Sequence, residues 1–282
     1  MAAALLAMVF WGAWFPLSRL SVTESITPGD LAILRVGLPG LLLLPVALKL
    51  GFKAGKAGWW GTAAMAGTIG IPFALVLGTG LQHAPAAHAA IFIPGAFPAL
   101  TALLGILLLG ERAGALRLAG VALTVAGVGL TALSALQHAP PGGLGGYALF
   151  HLGAWMWAIY TVTARRAEVS PLHAAAILST VSTAAFLPLF LLFGESRLLE
   201  IPFGSLAWQA FVHGILGGIV SIWLYSYAIG VLGAGRTGVF AGLVPGLGAL
   251  FSALLLGESL AWPELAGLAV VTAGIVMVQA GR

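Results

Sequence analysis

The chain alternates between long apolar stretches and short polar breaks. Ala57 to Gly110 contains no Asp, Glu, Lys or Arg, and neither does Leu118 to Ala164 or Ile201 to Gly235. Turn residues divide the apolar sequence into ten segments: 3–22, 30–48, 59–82, 86–109, 115–136, 145–164, 172–193, 206–230, 236–256 and 262–280. Each is close to the roughly 20 residues that an α-helix needs to cross hydrocarbon. The breaks have physical reasons. Gln82-His83-Ala84-Pro85 ends the third segment, since proline disfavours a helical residue before it. Gly110 and Gly257 are placed as C-terminal stops. The longest polar, turn-forming stretch is Gln137-His138-Ala139-Pro140-Pro141-Gly142-Gly143. It divides the chain into 1–137 and 144–282, with 138–143 as the connecting loop. The N-terminal run of Ala and Leu resembles a signal peptide, but it lacks a positive start and stays apolar through Trp11 to Leu17. It therefore reads as a retained first helix.

The two parts are related. Leu107-Leu108-Leu109-Gly110-Glu111 returns 147 residues later as Leu254-Leu255-Leu256-Gly257-Glu258. At the same offset Pro98 pairs with Pro245, Leu103 with Leu250, Gly120 with Gly267 and Gly127 with Gly274. Each half holds five segments, so an odd number of crossings makes the second half the inverse of the first. Inverted repeats place a binding site near the midplane, at their interface, and open it alternately by rocking one half against the other.

Composition settles the solvent. Only 7% of the residues are charged and 60% are hydrophobic, against roughly 25% charged in a soluble domain. The pI near 9.9 raises nucleic acid as a partner, but the twelve Lys and Arg form no stripe and sit at segment ends. With both termini cytoplasmic, Lys49, Lys53, Lys56, Arg112, Arg117, Arg165, Arg166, Arg236 and Arg282 fall inside, and only Arg19, Arg35 and Arg197 fall outside. By the positive-inside rule that split favours cytoplasmic termini. The absence of cysteine excludes disulfides, thiolate nucleophiles and cysteine metal sites, and no cofactor is expected.

The pattern Pro-x12-Glu-x8-Gly-x6-Gly runs from Pro98 through Glu111 and Gly120 to Gly127, and again from Pro245 through Glu258 and Gly267 to Gly274. With ten segments and Trp11-Gly12-Ala13-Trp14-Phe15 in the first, the chain resembles the EamA-type branch of the drug/metabolite transporter superfamily, over its whole length. Within that branch it is most similar to bacterial aromatic amino acid exporters of the YddG type. The resemblance implies an all-α fold of ten transmembrane helices around a central cavity, with the fifth and tenth peripheral. It also implies export of amino acids or other small amphipathic metabolites across a bacterial inner membrane. Sugar, nucleotide-sugar and drug carriers belong to the same family, so membership does not name the substrate.

Several residues are candidates for carrying transport. Trp11 and Trp14 lie three apart, on one helical face, and at an offset of 146 they map to Trp157 and Tyr160, as Arg19 maps to Arg165. Duplicated aromatics suggest a cavity wall that stacks a flat or cationic ligand; lipid-facing rings are the alternative. Trp59, Trp60, Trp208 and Trp262, near helix starts, read as an interfacial belt. Ser221 and Tyr225 share a face and offer hydroxyls to a polar ligand head. Pro94, Pro98 and Pro245 lie inside helical segments, and each frees the carbonyl four residues before it. Such a carbonyl needs a partner or a water-lined cavity, so the prolines are candidate hinges, or static kinks. Gly238, Gly242 and Gly246 suit close helix packing, or a homodimer seam. Glu111 and Glu258 follow helix-ending glycines, where each is expected to accept bonds from the free amides of the next helix. His151 and His213 read as hydrogen-bonded packing residues, and His83 and His88 as part of a solvated turn. All eight acids map to loops or helix ends.

The leading function is a secondary transporter moving its substrate down its own gradient. A proton-linked exporter of drugs or organic cations is one alternative, and a non-transporting scaffold or receptor another. Neither enzyme motifs such as His-Glu-x-x-His nor a nucleotide-binding Gly-x4-Gly-Lys loop occurs, so the reading is not an enzyme.

Overall fold

The computed structural model describes residues 1–233, 237 and 239–281, apart from the side chain of Ser226. Arg236, Gly238 and Arg282, used above for charge balance or packing, lie outside the described residues. The described residues form helices and no strand. They are α1 (Ala2–Glu24), α2 (Pro28–Leu50), α3 (Gly55–His83), α4 (Ala86–Leu109), α5 (Ala115–Gln137), α6 (Gly143–Ala167), α7 (Pro171–Phe193), α8 (Phe203–Leu232), α9 (Leu243–Leu256) and α10 (Trp262–Ala280). All but α6 and α9, eight in number, are long and apolar enough to cross a membrane.

The outer surface fits that solvent. Leu107, Leu108, Leu191, Leu192, Leu254 and Leu255 are exposed, in a pattern water would penalise. Trp59, Trp60, Trp208 and Trp262 are exposed near helix starts. Gly110 and Gly257 end α4 and α9 in the left-handed conformation, at φ 67° and 66°. After them the amide of Glu111 returns to the Gly105 carbonyl, and that of Glu258 to Ser252, the equivalent position 147 residues on.

Helix contacts run mainly between the two halves. α5 packs on α10, α4 on α9 and α2 on α7, while α1 packs on α8 and α9, and α6 on α3 and α4. Exchanging each helix for the one five places along returns the same set. The tightest case is α5 against α10. Cβ atoms built on Gly120 and Gly274 would each lie 2.9 Å from the other's carbonyl oxygen, and on Gly127 and Gly267 each 2.8 Å. These are the four motif glycines. Side chains there would push the backbones apart, which explains the residue type at each.

Two helices depart from regular winding. α2 widens to π geometry over Ile33–Gly37, and α8 over Ala210–Val220. π segments are rare and cluster at functional sites. These two touch: a Cβ on Gly218 would lie 3.0 Å from the Arg35 carbonyl oxygen, and one on Gly214 2.8 Å from that of Leu34. The ninth segment differs from expectation. A turn at Ala241–Gly242 precedes α9, so Pro245 occupies its first turn instead of a helix interior. The Ala241 carbonyl that Pro245 cannot engage accepts from Val244 instead, at 3.1 Å. Pro94 and Pro98 are buried within an uninterrupted α4.

Candidate functional site

A hydrogen-bonded network of buried side chains joins α1 to α8, beside α2. Trp14 is 5% exposed, and its indole N–H donates to His213 Nδ1 at 3.1 Å. An indole can only donate, so Nδ1 carries no proton and the neutral ring bears its hydrogen on Nε2. That atom lies 3.0 Å from both Gln209 Oε1 and Ser21 Oγ, and the Ser21 hydroxyl lies 2.8 Å from Gln209 Oε1. Ser21, Gln209 and Trp208 also line a cleft of about 320 Å³ at the end of α1 and the start of α8.

On the other side of this network is Arg35. Its guanidinium carbon stands 3.5 Å above the Trp14 ring, and 6.0 Å from Phe73. The sequence places Arg35 as a topology charge at a segment end; in the structure it lies well inside α2, in the π segment. The signal in the sequence is Arg35 itself, the one charge in the apolar run between Asp30 and Lys49.

The mirrored aromatics occupy comparable places. Trp11 packs on Tyr225 of α8 at 4.9 Å between ring centres, and Trp157 on Phe73 of α3 at 5.9 Å. Trp157 also meets Tyr160 at 5.9 Å and Phe97 at 5.8 Å. Trp11, Trp157, Tyr160 and Tyr225 are half-buried against the main core, unlike the buried Trp14. Ser221 is fully buried and donates to the Gly217 carbonyl one turn back, so its hydroxyl serves its own helix. A larger cleft, about 580 Å³, opens between α2, α3 and α7, with Phe186 and Phe190 on its wall. Neither cleft is lined by Trp11, Trp14, Trp157, Tyr160 or Tyr225.

The two motif glutamates act across the halves, which corrects the expectation of a cap on the next helix. Glu258 accepts from the amides of Ala86 and Ala87 at 3.0 and 2.8 Å, the start of α4, and pairs with Arg19 at 3.3 Å. Arg19 also donates to the Ala84 carbonyl. Glu111 pairs with Arg117 at 2.8 Å and Arg165 at 3.1 Å. In the loop after α4, the hydrogen bond from Arg117 holds the Glu111 carboxyl below its ordinary value; burial opposes this and the Arg165 charge adds to it.

His88 departs from the solvated-turn reading. It is buried, with Nε2 3.3 Å from Glu264 of α10 and Nδ1 3.1 Å from the Tyr147 hydroxyl of α6. Ser134 of α5 donates to the same Glu264 oxygen at 3.3 Å. His151 bonds the Tyr147 carbonyl at 3.0 Å within its own helix. No cluster of three or more metal-ligating side chains occurs among the described residues.

Known proteins agree with this architecture. The sequence model of the EamA-like transporter family matches residues 1–133 and 144–279. A protein of Pseudomonas aeruginosa, named Uncharacterized protein PA1977, is 34% identical over 249 residues, covering 86% of this chain and 81% of that protein. A solved crystal structure superposes with a TM-score of 0.64 at 22% identity, over 98% of this chain and 96% of the other, which shows a shared fold. Two stretches matching one family model cover nearly the whole chain, and the chain belongs to the EamA-like transporter family.

Proposed function

We propose that this transporter exports small amphipathic metabolites, aromatic amino acids foremost, from a bacterial cytoplasm across the inner membrane. In this reading ten helices span the bilayer as two inverted five-helix repeats, 1–137 and 144–282, with both termini cytoplasmic. The family match in each half and the exchange-symmetric helix contacts support it. The observation that carries the substrate class is the mirrored placement of Trp11 against α8 and Trp157 against α3. Half-buried rings facing the opposite repeat are suited to stack a flat side chain, and to change partners as the halves rock. Substrate moves down its own gradient, with no cofactor. The test is efflux from proteoliposomes by Trp11→Ala and Tyr160→Ala. Each is expected to slow aromatic substrates while leaving protein yield intact; wild-type rates in both would end the aromatic reading.

A proton-linked exporter is the second reading, and the buried His88–Glu264 pair between α4 and α10 is what favours it. An ionisable pair at such a place is a usual mark of a proton path. Substrate accumulation driven by an imposed pH difference alone, abolished in His88→Asn, would establish it in place of simple export.

A further inference from the structure

We propose that Arg35 is the anchor for a carboxylate on the transported molecule, a contact that rests on the export reading above. Arg35 lies seven residues, about 10 Å, inward from Pro28 at the start of α2. A charge inside a membrane protein is normally paired with an opposite charge or with backbone carbonyls. Arg35 has neither an ion pair nor a hydrogen bond among the described residues.

The acids of the chain are otherwise engaged. Asp30 bonds Thr27, Ser196 and Arg197. Glu264 faces His88 and Ser134, Glu258 faces Arg19, Glu111 faces Arg117 and Arg165, and Glu168 faces Lys56. Glu24, Glu195 and Glu200 are exposed at helix ends and loops. No acid among the described residues faces Arg35, and a carboxylate on the transported molecule is the counter-charge that fits it.

The geometry makes the guanidinium ready to bind. Its carbon stands 3.5 Å over the centre of the Trp14 ring, and a guanidinium that rests on an aromatic ring keeps its in-plane N–H fork for a carboxylate. Trp14 is fixed by His213, and His213 by Gln209 and Ser21, so little freedom remains to be lost on binding. The π turns of α2 and α8 meet beside it, and irregular backbone at membrane depth is tolerated where it is enclosed by protein or lines a cavity. The ligand class is therefore an organic carboxylate with an apolar body. Purely cationic compounds would meet repulsion at this point.

The experiment is calorimetric titration of purified protein in nanodiscs of zwitterionic phosphatidylcholine, which removes competition from anionic headgroups. The probes are tryptophan against tryptophanamide, and indole-3-propionate against its amide. Each acid is expected to bind roughly ten- to hundredfold more tightly than its amide, the usual weight of a charge-assisted bond. Arg35→Gln should bring that ratio to about one, and Arg35→Lys should retain part of it, since one point charge remains. No binding of either acid, equal binding of acid and amide, or a ratio that survives Arg35→Gln overturns the anchor. If Arg35→Gln does not fold, the wild-type ratio and Arg35→Lys decide. Acid preference without efflux of these compounds from proteoliposomes keeps the anchor and removes the export reading. Efflux that treats acid and amide alike does the reverse.

Discussion

Arg19 and Glu258 meet at 3.3 Å across the two halves of the chain, and Arg165 and Glu111 repeat the contact at 3.1 Å with the halves exchanged. Each pair joins the first helix of one half to the loop after the fourth helix of the other. The rocking proposed above would therefore stretch or break one of them. Glu258 holds the amides of Ala86 and Ala87 as well, so a neutral glutamine leaves charge-assisted bonds unmade. Glu258→Gln should lower unfolding stability by about 1–3 kcal/mol. Thermal unfolding in detergent checks this, and an unchanged midpoint would show that the contact holds nothing.

The Glu111 carboxyl gives a pH dependence with a definite sign. Its folded value lies below the ordinary 4.5, chiefly through the hydrogen bond from Arg117. A depressed carboxylate contributes stability that is present above its unfolded value and is lost as pH falls through the folded one. The wild-type melting temperature should thus drop below about pH 4.5, and Glu111→Gln should remove part of that drop. The comparison is a pair of melting curves across pH 3 to 7, with salt held constant. Parallel curves would contradict the assignment.

Packing of α5 on α10 can be tested at single atoms. Alanine at Gly274 would place its Cβ 2.6 Å from the Thr124 amide and 2.9 Å from the Gly120 carbonyl oxygen. Alanine at Gly129, on the same α5, meets nothing within 4 Å. Gly274→Ala should cost about 1–3 kcal/mol through overpacking, whereas Gly129→Ala should be neutral or slightly stabilising through helix propensity. Equal melting temperatures for the two variants would refute the interlock.

The fold was more legible in the sequence than the site. Apart from α9, apolar stretches between Pro and Gly breaks located the helices to within a few residues, because crossing a bilayer imposes a common length and chemistry. Gly120, Gly127, Gly267 and Gly274 were visible as a duplicated motif, and their placement face to face follows from close packing of two equivalent helices. Arg35, His88 and Glu264 were not legible. A lone charge near a helix end is written with the same letter whether it reaches water or turns inward, and its partner lies on another helix far along the chain. The π turns of α2 and α8 left no mark either, since Arg35 within Ile33–Gly37 and His213 within Ala210–Val220 are compatible with α winding as well. The break before α9 was hidden for a related reason: Pro245 sits as comfortably in a first turn as in a kink.

The proposed orientation rests on the distribution of Lys and Arg and is open to direct chemistry, because the chain contains no cysteine. Cysteine introduced at Lys53, in the loop between α2 and α3, should resist an impermeant thiol reagent in intact cells and react once the cells are opened. Labelling in intact cells would invert the topology, and with it the direction assigned to transport.

The most direct measurement is efflux of radiolabelled tryptophan and of serine from proteoliposomes of the purified wild-type protein, at equal pH and zero potential. Tryptophan should leave faster than from protein-free vesicles and faster than serine, without an imposed ion gradient. Tryptophan loss no faster than in protein-free vesicles, or serine leaving as fast as tryptophan, would contradict an exporter selective for aromatic amino acids.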